Sequence, residues 1–263
     1  MFRTTLVAAT LVAAPWATAV AQLDYRNLDD ERPVTTEDAY PIEQDALEAM
    51  FPLAWESDRG TGRLHLAPEL MWGALRNAMV GLKLPLATRD GQEHRLAVGG
   101  PRAFALLNLN TESPTLPALA LRGDVSMPVG NAAGSRALAS LKGIATRSWG
   151  TWRAHLNGTR TFGRAADAPT VDAPARWVAS LAVDHTFWRQ SLLVIGEVAA
   201  QESLGGGPTG WLAGIGARWQ VTPALVLDAG VYRRLSPVGP DLGLTLGASR
   251  TLGLGGLGRW GQR

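Results

Sequence analysis

Charged side chains recur at every second residue in several stretches of this chain, and their sign changes from one stretch to the next. Acids and bases so placed could pair as buried salt bridges, or form rings of charge that select the solutes entering an enclosed passage. The candidate lumen-lining and selectivity residues are Glu69, Lys83, Arg122, Asp124, Lys142, Arg153, His155, Asp184, Glu197, Arg218 and Asp228.

Neighbouring stretches bring residues of opposite charge side by side. The predicted neighbours are Glu69 with Lys83, Arg122 and Asp124 with Lys142, Arg153 with Asp184, and Arg218 with both Glu197 and Asp228. Opposite charges facing each other on adjacent strands contribute about 0.2–1 kcal/mol per pair. Two interpretations remain open: the pairs line a selective constriction, or they satisfy one another and fill the interior.

Other chemistry has little support in the sequence. Cysteine is absent, and the four histidines are His65, His94, His155 and His185, none of them in a cluster with metal-ligand spacing. A lipid hydrolase would need a Ser–His pair facing the bilayer, yet only His185 falls on an apolar face and it has no obvious serine partner. We therefore expect no enzyme, no metal and no cofactor, with an outer-membrane lipid hydrolase kept as an alternative.

The elements that carry these residues alternate between apolar and polar side chains. In "TGWLAGIGARWQVTPALVLDAGVYRRL" (209–235), Trp211, Ala213, Ile215, Ala217 and Trp219 share one face. A period of two is typical of β-strands, and twelve such segments follow one another along the chain. "RAFALLNLN" (102–110) can be phased either way, and we assign Asn108 and Asn110 to its polar face.

The connections predict how the strands are arranged. Those near 57–62, 89–101, 131–135, 164–175, 202–209 and 236–241 are mostly long, whereas those near 75–77, 111–115, 149–151, 188–191 and 222–224 are short. This alternation, with aromatic residues near strand ends, is typical of outer-membrane barrels. We predict an all-β fold, a transmembrane antiparallel up-and-down β-barrel of about 12 strands, in preference to a soluble sandwich.

The expected domains are a signal peptide (1–21), an acidic periplasmic leader (22–42), the barrel (43–254) and a C-terminal tail (255–263). Residues 22–48 hold nine acidic and two basic side chains, whereas the rest of the mature chain has a net charge of +8. The leader could fold back and plug the basic lumen, or remain a disordered tether. Four polar residues fall on the apolar face near strand ends: Arg160, His185, Arg233 and Arg250.

The leader sequence "NLDDERPVTTEDAYPIEQ" and the later "LNLNTESPTLPALALRGDVSMPVG" carry a family resemblance. They resemble proteobacterial outer-membrane proteins described as transporters, and the chain is similar to the MetA-type family named after the meta pathway of phenol degradation. The resemblance implies a β-barrel in the outer membrane that passes small or hydrophobic compounds. One departure is the tail "GLGGLGRWGQR", because such barrels commonly finish on an aromatic residue.

We therefore expect a porin-like channel or uptake protein of a Gram-negative outer membrane, passing small molecules. The alternatives are the lipid hydrolase and a plugged structural or adhesive barrel without transport. The expected partners are outer-membrane lipids, lipopolysaccharide, the barrel assembly machinery and a small-molecule solute, with no nucleic acid. The polar lumen favours hydrophilic solutes, whereas the resemblance favours hydrophobic ones.

Overall fold

The chain forms a closed antiparallel β-barrel in the computed structural model, which describes residues 24–89, 96–187 and 191–252. Its 15 strands form one sheet, and the first strand pairs with the last to close it. The strands are β1 (Leu47–Asp58), β2 (Thr61–Leu66), β3 (Glu69–Leu75), β4 (Ala78–Lys83), β5 (Leu86–Arg89), β6 (Ala97–Val98), β7 (Arg102–Asn110), β8 (Ala118–Ser126), β9 (Leu138–Trp149), β10 (Trp152–Phe162), β11 (Ala175–Phe187), β12 (Leu192–Ser203), β13 (Gly210–Thr222), β14 (Leu225–Arg234) and β15 (Leu242–Leu252). Within the described ranges, no helix is both long and apolar enough to cross a membrane.

The barrel wall is made of successive crossings by the chain, named staves here. Three of these staves are each broken into two strands. The breaks contain Pro68 between β2 and β3, Pro85 between β4 and β5, and Pro101 between β6 and β7. Proline has no backbone N–H, so it removes a hydrogen bond from the ladder at each break. Counting each broken pair once leaves 12 staves, and the predicted number of strands is confirmed.

The two faces of the wall differ as the alternation predicts. Along β8, the side chains of Arg122 and Asp124 are buried inside, whereas Leu119, Leu121 and Val125 are exposed on the outside. The same alternation continues around the barrel and gives it an apolar outer surface. Such a surface is stable where hydrocarbon replaces water around it.

The inner face is less polar than the sequence interpretation assumed. Four apolar side chains point inward: Met71, Met79, Phe104 and Leu106. They form a buried cluster with residues that precede β1, including Ile42. β7 thus directs Phe104, Leu106 and Asn108 into the barrel, so the phase chosen for Asn108 is confirmed. The same assignment was wrong for Asn110, because a bulge after Asn108 sets Asn110 opposite Leu119 of the outer face. The lumen is partly filled by a hydrophobic core of its own.

One predicted loop length was wrong. The connection near 57–62 is a tight turn at Arg59 and Gly60, because Ser57 pairs with Gly62 and Asp58 with Thr61. Both turn residues have positive φ, at 50° and 80°. A two-residue hairpin of this kind matches the right-handed twist of the flanking strands, so pairing extends to the end of the hairpin.

Several predictions lie outside the described residues: the signal peptide (1–21), His94 and the tail (255–263). The polar exceptions on the apolar face are within the description. Arg160, Arg233 and Arg250 are exposed on the outer surface near strand ends. There their long side chains can reach the water interface.

Candidate functional site in the barrel lumen

Residues 24–46, named here the N-terminal segment, lie inside the barrel. Leu28, Thr36 and Ala39 are almost fully buried there. The acidic leader could have folded back into the lumen or remained a disordered tether. In this structure it is folded back into the lumen.

Polar side chains of the wall hold the main chain of the N-terminal segment. The Glu37 N–H donates to Asn157 Oδ1 and the Asn157 amide donates to the Glu37 carbonyl, both at 2.8 Å. Thr146 Oγ1 accepts from the Ala39 N–H at 3.0 Å, and Thr245 Oγ1 donates to the Pro33 carbonyl at 3.0 Å. These contacts satisfy backbone groups that no strand pairs, so the segment has a defined path.

One side of the wall carries a row of cations, named here the cationic arc: Lys83, Arg102, Arg122 and Lys142. They lie on four consecutive staves, in β4, β7, β8 and β9. The register places Lys83 opposite Arg102, and Arg122 opposite Lys142. Like charges directly opposite each other on neighbouring strands repel, so both pairs require anions between them.

The N-terminal segment supplies anions for the arc. Glu37 bridges one pair, with its carboxylate oxygens 2.8 Å from Arg122 Nη1 and 2.9 Å from Lys142 Nζ. Asp30 also binds Lys142 and lies 3.6 Å from Arg122 Nη2. Asp124, on the same strand as Arg122, adds a wall carboxylate at 2.9 Å.

The second pair of the arc is bridged in the same way. Glu31 binds Lys83 and lies 3.8 Å from Arg102 Nη1, while Asp172 of the β10–β11 loop contacts Arg102 Nη2 at 2.6 Å. Burial would raise the pKa of the Asp172 carboxyl, but Arg102 and Lys83 more than offset burial and hold that pKa below its ordinary value. The predicted neighbour Glu69 does lie opposite Lys83 in the register. The Lys83 amino group nevertheless contacts Glu31.

Next to the arc in the wall, β10 and β11 pair opposite charges directly. Arg153 lies opposite Asp184 and donates to its carboxylate at 2.8 Å. His155 Nε2 lies 2.8 Å from the same carboxylate, and its Nδ1 lies 3.0 Å from Thr146 Oγ1. We name Arg153, His155 and Asp184 the paired cluster. Asp38 of the N-terminal segment adds a second carboxylate, 3.2 Å from Arg153 Nη1.

Further around, β13 and β14 place Arg218 opposite Asp228, as expected. Each residue also binds the N-terminal segment: Arg218 contacts Asp29 at 2.6 Å, and Asp228 contacts Arg32 at 3.2 Å. The expected contact of Glu197 with Arg218 was wrong, because the register places Glu197 opposite Gly214. The Glu197 carboxylate instead accepts N–H bonds from Thr35 and Thr36, at 3.0 and 2.6 Å.

The N-terminal segment separates two cavities. The outer chamber, of about 450 Å³, is lined by Glu31, Pro33, Lys83, Arg102 and outer-loop residues such as Asp172. The periplasmic chamber, of about 550 Å³, lies toward the short turns and is lined by residues such as Asp24, Tyr40, Ile42 and Arg153. Short turns mark the periplasmic end of such barrels, which gives the chambers their orientation.

All eleven predicted lumen residues are buried on the inner side of the wall. Sequence reasoning missed Arg102 and the acids of the N-terminal segment that pair with the wall: Asp29, Asp30, Glu31, Glu37 and Asp38. Arg102 shares the parity of Asn108, so the phase assigned to that strand already placed it inside. The run of acids before a basic barrel was the signal for the others.

His185 lies at the periplasmic end of β11, on the outer surface. Its ring packs edge-on against Trp152 with centroids 4.3 Å apart, and Nε2 lies 3.0 Å from Thr151 Oγ1. In the described part of the chain, no group of three or more His, Asp or Glu residues is arranged to hold a metal ion.

The barrel resembles solved outer-membrane proteins. A structure of an outer membrane channel from Pseudomonas putida F1 matches with a TM-score of 0.58 and 13% identity, covering 86% of this chain and all of that one. The KdgM porin, in complex with disordered oligogalacturonate, matches with a TM-score of 0.51 and 9% identity, over 79% of this chain and 99% of that one. These identities establish a shared fold. No curated protein matches the sequence.

Phospholipase A from the outer membrane of Escherichia coli gives a weaker match, with a TM-score of 0.43 and 14% identity over 84% of this chain and 94% of that one. A family model matches residues 27–249, which include the N-terminal segment from Asn27 and almost the whole barrel. The protein is a β-barrel of the cell outer membrane, and the chain belongs to the family described as "Putative MetA-pathway of phenol degradation".

Proposed function

We propose that the protein is an outer-membrane channel for small molecules whose passage is closed, in the described state, by its own N-terminal segment. The observation that carries this proposal is the pair of chambers on either side of that segment. A wholly structural barrel needs no chamber facing each aqueous compartment. The likeness to a channel from Pseudomonas putida supports the same function.

The lining of the outer chamber favours small amphipathic molecules. Polar groups such as Lys83 and Tyr232 share it with apolar side chains, including Leu138, Val178 and Leu212. A few charged groups fix orientation in such a cavity, while apolar groups give up contact with water on binding. Such a lining fits a molecule that has both a polar and an apolar part, which reconciles the hydrophilic and the hydrophobic solutes suggested by the sequence. The family description supports aromatic compounds.

Single-channel recording in planar bilayers tests the proposal. We expect small and infrequent conductance steps from the full chain, and larger, more frequent steps after deletion of residues 22–42, because the deletion joins the two chambers. A folded deletion variant that is electrically silent would contradict the channel and support a structural or adhesive barrel. The apolar outer surface would contact membrane lipids, and we expect lipopolysaccharide and the barrel assembly machinery as further partners.

The alternative of a lipid hydrolase is tested separately. Catalysis would need a nucleophile, a base and an orienting group in reach of lipid. His185 lies at the periplasmic end of its strand and hydrogen-bonds the threonine hydroxyl of Thr151. We expect no phospholipase or esterase activity from the refolded chain, and activity abolished by His185→Ala would overturn this part of the proposal.

A further inference from the structure

Lys83 and Arg102 form an unusual pair at the floor of the outer chamber. We propose that they are a binding site for the carboxylate of a small organic anion, and that Glu31 and Asp172 occupy this site in the closed state. The inference rests on the proposed function, because it names the class of molecule that the channel would take.

The two cations are held in place by the wall. They lie opposite each other on β4 and β7, and their side chains are only 2% and 10% exposed. Repulsion between directly opposed like charges must be offset by an anion. A lysine and an arginine side by side offer several N–H donors to the two oxygens of one carboxylate, which gives a strong charge-assisted contact.

The present occupants do not belong to the wall. Glu31 comes from the N-terminal segment and Asp172 from the β10–β11 loop, and their side chains are 45% and 24% exposed. Both have positive φ, at 67° and 56°, a region that non-glycine residues rarely adopt. Carboxylates that are at least partly exposed and lie on strained backbone can be exchanged for a ligand without dismantling the barrel.

The surroundings define the rest of the ligand. Pro85, Leu138 and Val171 are buried residues that line the same chamber and provide an apolar surface for an aromatic or aliphatic body. Glu69, buried opposite Lys83, places a further acidic side chain beside the site. An acidic neighbour disfavours a second carboxylate on the ligand, so the site favours monocarboxylates over dicarboxylates.

Calorimetric titration of benzoate into the detergent-solubilised full chain tests the site. Glu31→Gln and Asp172→Asn each remove a competing carboxylate, so each should tighten benzoate binding about tenfold or more, as expected for close charge pairs. Lys83→Gln added to Asp172→Asn should abolish the gain. Glu202→Gln is the matched control, because it removes a carboxylate at the outer end of β12 that contacts Trp177 and does not line the chamber.

Benzamide, the neutral analogue, should bind no better to the two variants than to the original chain. Unchanged benzoate affinity in both variants, or an equal gain for benzamide, would overturn the site. Asp172 lies in an outer loop, so Asp172→Asn decides the matter even if Glu31→Gln fails to fold. Binding in detergent does not depend on conductance: benzoate binding with silent bilayers would refute the channel alone, and conductance without benzoate binding would refute the site alone.

Discussion

On the cationic arc, Arg122 lies opposite Lys142 and Lys83 opposite Arg102, whereas on the two neighbouring strands β10 and β11 Arg153 lies opposite Asp184. The paired cluster therefore finds its main counter-charge within the wall. The arc depends largely on carboxylates from outside the wall, chiefly Glu31, Asp30 and Glu37 of the N-terminal segment. The comparison teaches that carboxylates of the N-terminal segment are the main counter-charge of the cationic arc. In the paired cluster they only supplement a carboxylate of the wall.

The largest expected effect follows from removing the bridging charge on the arc. Glu37→Gln keeps the shape of the side chain but leaves Arg122 and Lys142 facing each other with less compensation. Breaking a buried ion pair by removing one partner costs about 3–5 kcal/mol, and the acids that remain, Asp30 and Asp124, must then serve two opposed cations. We expect a loss of that size in the free energy of unfolding, measured by denaturant titration of the refolded chain.

A second substitution on the arc makes this comparison sharper. Adding Lys142→Met to Glu37→Gln removes one of the two opposed cations, so part of the lost stability should return. Coupled neighbours commonly differ from additivity by about 0.5–3 kcal/mol. Losses that simply add would show that repulsion within the arc is not the cause.

A smaller effect is expected in the paired cluster. Asp184→Asn removes the carboxylate shared by Arg153 and His155, but Arg153 retains Asp38 and the Arg26 carbonyl. Weakening a buried hydrogen-bond network in this way costs about 1–3 kcal/mol. The same unfolding titration should show that this variant is more stable than Glu37→Gln. The reverse order would contradict the stated difference between the cationic arc and the paired cluster.

The smallest effect is expected in the outer chamber, away from both groups. The Tyr232 hydroxyl donates to Glu56 Oε1 at 2.6 Å, and Glu56 also lies 3.6 Å from His65 Nε2. Tyr232→Phe therefore removes one contact of a carboxylate that keeps another partner, at a cost of about 0.5–1.5 kcal/mol. A loss as large as that of Glu37→Gln would mean that contacts in the lumen contribute equally to the free energy of unfolding wherever they lie.

Much of the wall could be predicted from the sequence. The twelve staves, their order, the inward position of residues such as Lys142 and Asp184, and the membrane location all follow from alternation and loop length. These are local properties, since a period of two assigns each side chain to a face whatever strand lies beside it. The tight turn at Arg59–Gly60 escaped prediction because a loop read from polarity alone does not reveal how far pairing extends.

The contacts inside the lumen could be predicted only in part. The contact of Arg153 with Asp184 and the position of Arg218 opposite Asp228 follow from chain order and register, but Glu197 does not face Arg218. An error of a few residues in register moves a charge by more than the length of an ion pair. The inward methionines and Phe104 were overlooked because the inner face was taken as uniformly polar.

By itself, the sequence determined which side of nearly every strand meets lipid, because hydrocarbon and water sort alternating side chains without reference to their partners. It also determined that an acidic segment precedes a basic barrel. Only the tertiary structure decided that Glu31, Asp30 and Glu37 bridge cations on four separate staves. Those cations come together when their neighbouring strands pair, and the segment can bind them all only in the enclosed space that barrel closure creates.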